Sequence, residues 1–119
     1  NMQGTKTAGS SVTIKFKGTD IGIMEAGGQY SGQLRVIVDG VEQTKKLVLF
    51  GSNYNNLRLK YCFIPSLPYS EHTVTFILDS EMPDKSALQN KYPNDKIYQR
   101  NELYIGRILL NGELLDANK

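Results

Sequence analysis

Apolar and polar side chains alternate with a period of two along much of this 119-residue chain. Val12, Ile14 and Phe16, for example, are separated by polar residues, so an extended strand here has one apolar and one polar face. Other segments of strand-like composition are 21–24, 34–38, 47–50, 57–63, 73–78 and 103–110. No long segment has the 3.6-residue period of a helix. The pattern therefore predicts a chain built from short β-strands.

The dipeptide Asp39-Gly40 is the strongest local signal, because it lies between two of these segments. Both central residues of a two-residue hairpin turn need positive φ, which Asp tolerates and Gly favours. We predict a β-hairpin here, a turn at residues 18–20 and a second tight turn at Asn111-Gly112. Gly22, inside a strand-like segment, predicts a bulge or a close approach of another backbone segment.

The number of strands and the length of the chain together predict the fold class. A chain of this length suits one domain with its own core. Seven or more strands at regular spacing predict an all-β, antiparallel β-sandwich of jelly-roll type, with about seven to nine strands and at most one short helix, expected near residues 85–90. Residues 1–10 are small and polar and predict a flexible tail or linker, which leaves 11–119 as a single β-sandwich domain.

Charge and cysteine content exclude some classes of partner. Fourteen Lys and Arg against twelve Asp and Glu give a net charge of +2, too weak and too scattered for a nucleic-acid or anionic-membrane surface. No segment is long and apolar enough to predict a membrane span. The single Cys62 cannot form an internal disulfide, so cysteine content leaves the compartment open.

Residues that could support hydrolysis are sparse. His72 is the sole histidine, and although Ser70 and Glu71 precede it, the Gly-x-Ser-x-Gly nucleophile motif is absent. We therefore predict no catalytic residue and a hydrogen bond within a turn for His72. An autonomous esterase that depends on His72 is a competing hypothesis.

Five carboxylates are candidates for a catalytic pair or a calcium site, because paired acids can cleave glycosides and clustered acids can bind calcium. They are Asp20, Glu25, Asp79, Glu81 and Asp84. Residues 79, 81 and 84 form the densest cluster, but it lacks the alternating Asp/Asn pattern of a calcium loop. We predict a solvated acidic loop, with no metal and no cofactor.

A loop rich in Asn and Tyr is the best candidate for ligand binding. Asn53, Tyr54 and Asn55 supply amide groups and an aromatic face, and Tyr30 supplies a second ring. Such groups bind sugar hydroxyls and the C–H faces of sugar rings. An ordinary Asn-rich turn is the alternative. Tyr61 is predicted to lie in the core.

Four segments, in order, carry a family resemblance. Residues 16–23 resemble a Phe-x-Gly-Thr-x-Ile-Gly opening, and residues 34–40 resemble a strand that ends in Val-Asp-Gly. Residues 67–78 contain Leu-x-x-x-x-His-Thr-Val, and residues 103–110 resemble a closing strand. Together they resemble the β-sandwich accessory domains of SGNH/GDSL-type hydrolases, which are similar to the jelly-roll domain of carbohydrate esterases.

The resemblance implies a noncatalytic module, since the nucleophile and the catalytic Asp-x-x-His block of such enzymes belong to a separate α/β domain. It implies a neighbouring hydrolase domain and a glycan as partners, and a secreted, periplasmic or cell-surface location. The alternative is an immunoglobulin-like protein-interaction or adhesive domain. Such a domain would use Tyr92, Tyr98 and Tyr104 on a sheet face, or an open edge strand.

Overall fold

Eight antiparallel β-strands and one short α-helix make up the computed structural model, which describes residues 3–27, 30–49 and 58–115. The strands are β1 (Gln3–Thr5), β2 (Ser11–Gly27), β3 (Gln33–Val38), β4 (Val41–Glu42), β5 (Leu47–Val48), β6 (Arg58–Phe63), β7 (Ser70–Leu78) and β8 (Leu103–Leu115). Helix α1 (Ser86–Lys91) and a 3₁₀ turn (Lys96–Gln99) lie between β7 and β8. The predicted all-β, antiparallel fold class with one short helix is confirmed.

The long strand β2 organises the sheet. Its residues 11–18 pair with β7 and its residues 22–27 pair with β6, while its other edge pairs with β8. The sheet order is β1-β8-β2-β7-β3, and β3 also pairs with β4 and β5. Because β7 and β6 follow each other along one edge of β2, the sheet bends where the partner changes, and its two parts curl around one core.

One cluster of buried apolar side chains fills the curled sheet. Its fully buried members are Phe16, Ile21, Ile23, Leu34, Val36, Leu49, Val74, Phe76 and Leu78. All but Leu49 lie on β2, β3 and β7, where buried side chains recur with the predicted period of two on each side of the register shift in β2. Burial of these side chains is the main contribution to the stability of the fold.

Two predicted turns are wrong, because the chain continues as strand through both. Residues 18–20 lie inside β2, where a register shift beside Thr19 replaces the turn, and Asn111-Gly112 lies inside β8. Gly18 and Gly112 face each other across this pair of strands. A Cβ on Gly18 would lie 2.7 Å from the Cα of Gly112, so both glycines are needed for a close approach of two backbones.

The hairpin at Asp39-Gly40 is confirmed. Asp39 has φ 50° and Gly40 has φ 83°, and Val38 pairs with Val41 across the turn. Farther from the turn the returning strand is interrupted, since Glu42 pairs with Ile37 whereas Leu47 pairs with Leu34. Residues 43–46 therefore bulge out opposite residues 35 and 36.

Strand β6 is present as predicted, but the side chains that we predicted to face the core face outward, and the alternate side chains face the core. Tyr61, predicted to lie in the core, is 63% exposed, and Phe63 is 50% exposed. Cys62 and Ile64 are buried instead. The reason is the register with β2, in which Cys62 lies opposite the fully buried Ile23, so the core side of β2 selects the side chains of β6.

Gly22 of β2 makes the close approach that its position in a strand predicted. It lies opposite Phe63 and is buried, and a Cβ on it would lie 2.7 Å from Cδ1 of Phe63. Within residues 1–10, β1 pairs with the start of β8, and Gly9 and Ser10 exchange backbone hydrogen bonds with Leu78.

Neither helical segment in the described part of the chain is long and apolar enough to cross a bilayer.

Candidate functional site

Of the four predicted ligand contacts, Tyr30 lies within the described residues, whereas Asn53, Tyr54 and Asn55 lie outside them. The ring of Tyr30 is half-buried and packs edge-on against Tyr104 at 5.4 Å and 86°. The guanidinium of Arg100 lies 5.4 Å from the centre of the same ring. Such a cation–π contact and an edge-to-face pair hold the ring in one orientation.

A buried carboxylate completes the surroundings of Tyr30. Glu102 accepts hydrogen bonds from Nε and Nη2 of Arg100, the latter at 2.9 Å, and from the hydroxyl of Tyr104. Burial raises the pKa of Tyr30, and the negative charge of the nearby Glu25 adds to this effect. The structure therefore places Tyr30 in a packed cluster, in which its hydroxyl stays protonated at neutral pH.

His72 is held between two acceptors. Its Nδ1 lies 2.7 Å from Oδ2 of Asp39, and its Nε2 lies 2.7 Å from the carbonyl oxygen of Pro68. Since both partners accept, the doubly protonated imidazolium satisfies both contacts by donating from each nitrogen. The Pro68 carbonyl first and Asp39 second raise the pKa of His72. The other oxygen of Asp39 accepts from the backbone of Thr73, so His72 ties the hairpin turn to β7.

The acidic residues are distributed among separate contacts. Lys46 bridges Asp79 at 2.7 Å and Glu81 at 3.4 Å, and Gln33 donates to Asp79 at 2.9 Å. Burial raises the pKa of Asp79, but the hydrogen bonds from Lys46 and Gln33 outweigh it, so the net pKa is lowered. Asp84 accepts from the backbone of Ser86 at the start of α1. Among the residues that the structure describes, no three metal-ligating side chains converge.

A groove of about 510 Å³ lies between the bulge at residues 43–46 and the segment that follows β6. This volume is within the range of small-ligand sites. Its apolar lining comes from Val36, Val38, Leu47, Ile64 and Leu67, and its exposed polar lining comes from Gln43, Thr44, Lys45 and Ser66. Phe63 and Pro65 line it as well.

Backbone hydrogen bonds fix both walls of this groove. On one side the amide of Gln43 donates to Val36 at 2.8 Å. On the other side the amides of Ile64 and Leu67 donate to Ile21 and Thr19 of β2, at 3.1 and 2.7 Å. The groove is therefore formed before any ligand arrives, which lowers the entropic cost of binding. An aliphatic floor with amide, hydroxyl and ammonium groups at the rim fits a small polar ring that has an apolar face.

Sequence reasoning did not find the groove, because it forms from segments that are distant along the chain. The available signal is the polar run at residues 43–46, which breaks the alternation of the hairpin arm. Residues 64–67 read only as a strand end and a turn. Their position opposite the bulge depends on the pairing of β6 with β2 and of β3 with β7.

Comparisons with known proteins found solved structures of similar fold. No protein-family model and no curated protein matches the sequence. Two solved structures of a family two carbohydrate esterase from Clostridium thermocellum are similar over 98% of this chain. One, in complex with cellohexaose, has a TM-score of 0.63 and 18% identity, and an active-site mutant has a TM-score of 0.65 and 17% identity. This chain covers 29% of each esterase chain.

A third similar structure is a family 35 carbohydrate binding module from an environmental isolate. It has a TM-score of 0.51 and 14% identity, and the match covers 94% of this chain and 73% of the module. At these identities the likeness establishes the fold: a β-sandwich that occurs both in a carbohydrate esterase and in a carbohydrate-binding module. The predicted resemblance to the jelly-roll domain of carbohydrate esterases is thereby confirmed for the fold.

Proposed function

We propose that this chain is a noncatalytic accessory β-sandwich of a secreted SGNH/GDSL-type carbohydrate esterase, which packs beside the catalytic domain and binds glycan. The observation that carries the proposal is the preformed groove with an aliphatic floor and a polar rim. The shared fold with an esterase and a carbohydrate-binding module supports it. The coverage of 29% of each esterase chain is consistent with a module of a larger protein.

The groove binds sugar through two kinds of contact. The C–H face of a pyranose packs on the floor formed by side chains such as Val38 and Leu67. Its hydroxyls exchange hydrogen bonds with the side-chain amide of Gln43 and the hydroxyl of Thr44 at the rim, and they accept from the ammonium of Lys45.

Tyr30, Asn53, Tyr54 and Asn55 remain proposed ligand contacts. Leu49, which precedes the Asn/Tyr-rich loop in the sequence, donates from its amide to Gly32 at 3.1 Å, two residues from Tyr30. This contact holds residue 49 near Tyr30, and the proposal for Asn53, Tyr54 and Asn55 rests on the chemistry of their side chains. Loss of glycan binding in a Tyr54→Ala variant would support their role, and unchanged binding would remove Tyr54 from it.

The contacts of His72 support the noncatalytic part of the proposal. A general base must have a ring nitrogen available for the proton it removes. In this fold one nitrogen of His72 contacts Asp39 and the other contacts Pro68, each at 2.7 Å. The purified chain should therefore not hydrolyse acetylated model substrates. Turnover that disappears in a His72→Ala variant would establish an esterase instead.

Calorimetric titration of the purified chain with cellohexaose and with other neutral oligosaccharides tests the binding role. We expect saturable binding that is weakened in Lys45→Ala and Gln43→Ala variants. Lys96→Ala is the matched control, because Lys96 is also an exposed lysine but belongs to the 3₁₀ turn, outside the groove. Absence of binding to every glycan tested would contradict the binding role, and an equal effect of both lysine variants would contradict the groove.

The accessory role has its own test in the coding sequence that flanks this segment. We expect a hydrolase domain with a Gly-Asp-Ser nucleophile motif next to it. Co-expression of the two parts should give a complex that survives gel filtration. Separate elution of the two parts would argue against stable packing.

A further inference from the structure

Strand β6 turns its aromatic side chains away from the core. Tyr61 is 63% exposed and Phe63 is 50% exposed, whereas their neighbours Cys62 and Ile64 are buried. When side chains alternate between the two faces of a strand, the face with the larger apolar side chains is normally buried. Adjacent exposed aromatic rings are therefore a candidate for a binding surface.

The pairing of three strands extends these two rings into one continuous outer surface of the sheet. Phe63, Gly22 and Leu109 lie opposite one another in one row, and Tyr61, Met24 and Arg107 lie in the next. Ile21, Ile23, Ile108 and Leu110 point to the core, so the alternate residues between them face outward. We call this set of six residues the β6 face.

The ring of Phe63 lies over Gly22. A Cβ on Gly22 would be 2.7 Å from Cδ1 and 2.8 Å from Cγ of Phe63, so the absence of a side chain lets the ring rest against the backbone of β2. The exposed half of Phe63 is therefore available on the solvent side. A ring that rests on a sheet in this way can stack against the C–H face of a pyranose.

Charged groups stand at both ends of the β6 face. Asp20 precedes Gly22 by two residues on β2 and accepts hydrogen bonds from Ser66 and from Asn111, the latter at 3.3 Å. Arg107 is exposed at the opposite end. One acceptor-only group and one donor-only group suit the hydroxyls of a neutral sugar, and their charges cancel, so a polyanion or polycation gains nothing from this surface.

The dimensions of the surface also favour a narrow ligand. From Asp20 to Met24 the strand rises about 14 Å, and three strands span about 10 Å, which gives roughly 140 Å². A stable protein interface buries about 800 Å² on each partner. The β6 face is thus too small to hold a folded partner by itself, but it is long enough for more than one pyranose ring.

We propose that the β6 face is a second carbohydrate-binding surface, which takes an extended chain of neutral pyranose units stacked on Tyr61 and Phe63. This inference rests on the proposed function of the chain, but it concerns a surface on the outer side of the sheet. Tyr61 does not line the groove, whereas Phe63 does, so Tyr61 separates the two sites experimentally.

The test combines calorimetry with cellohexaose and co-sedimentation with insoluble cellulose, on the whole purified chain. We expect Tyr61→Ala to weaken binding about tenfold, since one aromatic stack contributes up to that factor. Tyr61→Phe keeps the ring and should bind like the unaltered chain. Tyr69→Ala is the control, because Tyr69 is similarly exposed at 69% but lies outside the β6 face, where the ammonium of Lys17 is 5.7 Å from its ring centre. Circular dichroism establishes that each variant is folded.

Each outcome of this experiment is decisive. Weakening by Tyr61→Ala with unchanged binding by Tyr69→Ala supports the β6 face, as does weak binding of the anionic probe polygalacturonate relative to cellohexaose. Binding that is lost in Lys45→Ala but unchanged in Tyr61→Ala overturns the β6 face and leaves the groove. Absence of binding by the unaltered chain overturns both. A dimer in sedimentation velocity that Tyr61→Ala dissociates overturns the glycan assignment in favour of a second copy of the chain.

Discussion

The contact between His72 and the hairpin turn gives a sharp test of the structure. A His72→Phe substitution retains a ring of similar size beside Phe16, whose ring centre lies 5.7 Å from that of His72. It removes the hydrogen bonds to Asp39 and to the carbonyl of Pro68, each 2.7 Å long. The substitution therefore isolates the polar contribution of the histidine from its packing.

The size of the effect follows from the surroundings of the two partners. A hydrogen bond to a charged group contributes about 1.5–3 kcal/mol. The side chain of Asp39 is 47% exposed and Pro68 is exposed, so both acceptors regain water when the imidazole is lost. We therefore expect a loss of about 2 kcal/mol in total, which lowers the melting temperature by about 8 °C in a domain of this size.

The effect should depend on pH in a defined direction. The pKa of His72 is raised, so its contribution is complete below 6.5 and is lost as the pH rises through the higher pKa of the folded state. The pKa of Asp39 is lowered, mainly by His72, so its contribution is present above 3.8 and is lost as the pH falls through the folded value. The difference between the two proteins should be largest between these limits.

Urea denaturation followed by circular dichroism, at about pH 5 and about pH 9, measures this difference. Thr75→Val is the control, because Thr75 lies on the same strand and its hydroxyl shares a hydrogen bond with the exposed Thr13, away from the hairpin turn. If His72→Phe and the unaltered chain differ by the same free energy of unfolding at both pH values, the ionised contact does not exist.

Two further predictions concern backbone packing and a buried lysine. Gly18→Ala places a methyl against the backbone of Asn111 and 2.7 Å from the Cα of Gly112, so it should lower the free energy of unfolding by about 3 kcal/mol. Gly9→Ala, which meets no atom within 4 Å but has φ +90°, should cost only about 1 kcal/mol, and similar values for the two would refute the close approach. Burial lowers the pKa of Lys85 to about 8. The unaltered chain should therefore gain stability relative to Lys85→Met as the pH rises from 8 towards 10.5, because only the unfolded chain still binds the proton there. A constant difference in the free energy of unfolding across that range would show that Lys85 is solvated.

Sequence patterns predicted the elements whose cause is local. The turn at Asp39-Gly40 depends on two adjacent residues that accept positive φ. Strand β7 depends on the alternation of apolar and polar side chains in its own sequence, and its buried positions follow that alternation. The same holds for the short helix, predicted at residues 85–90 and present as Ser86–Lys91. Fold class followed from the number of such elements.

The wrong predictions share a physical cause, which is pairing between distant strands. Asn111-Gly112 has the composition of a turn, but β2 offers a continuous partner, so the dipeptide remains in β8. Tyr61 belongs to the more apolar row of its strand, but Ile23 on β2 faces the core and forces Cys62 inward. No periodicity within one segment contains this information.

Candidate sites were harder to predict for the same reason. Tyr30 was identified as an aromatic contact, yet its environment depends on Arg100 and Glu102, which are 70 or more residues away in the sequence. The groove depends on a bulge in one hairpin and on a segment from another strand. The predicted contacts Asn53, Tyr54 and Asn55 stay a prediction, as does the immunoglobulin-like alternative.

Calorimetric titration of the purified chain with cellohexaose decides most directly whether this domain is a noncatalytic glycan-binding module. We expect saturable binding, weakened by Lys45→Ala at the groove, together with no hydrolysis of an acetylated substrate by the same preparation. An absence of heat with cellohexaose and with every other glycan tested, or hydrolysis that requires His72, would contradict it.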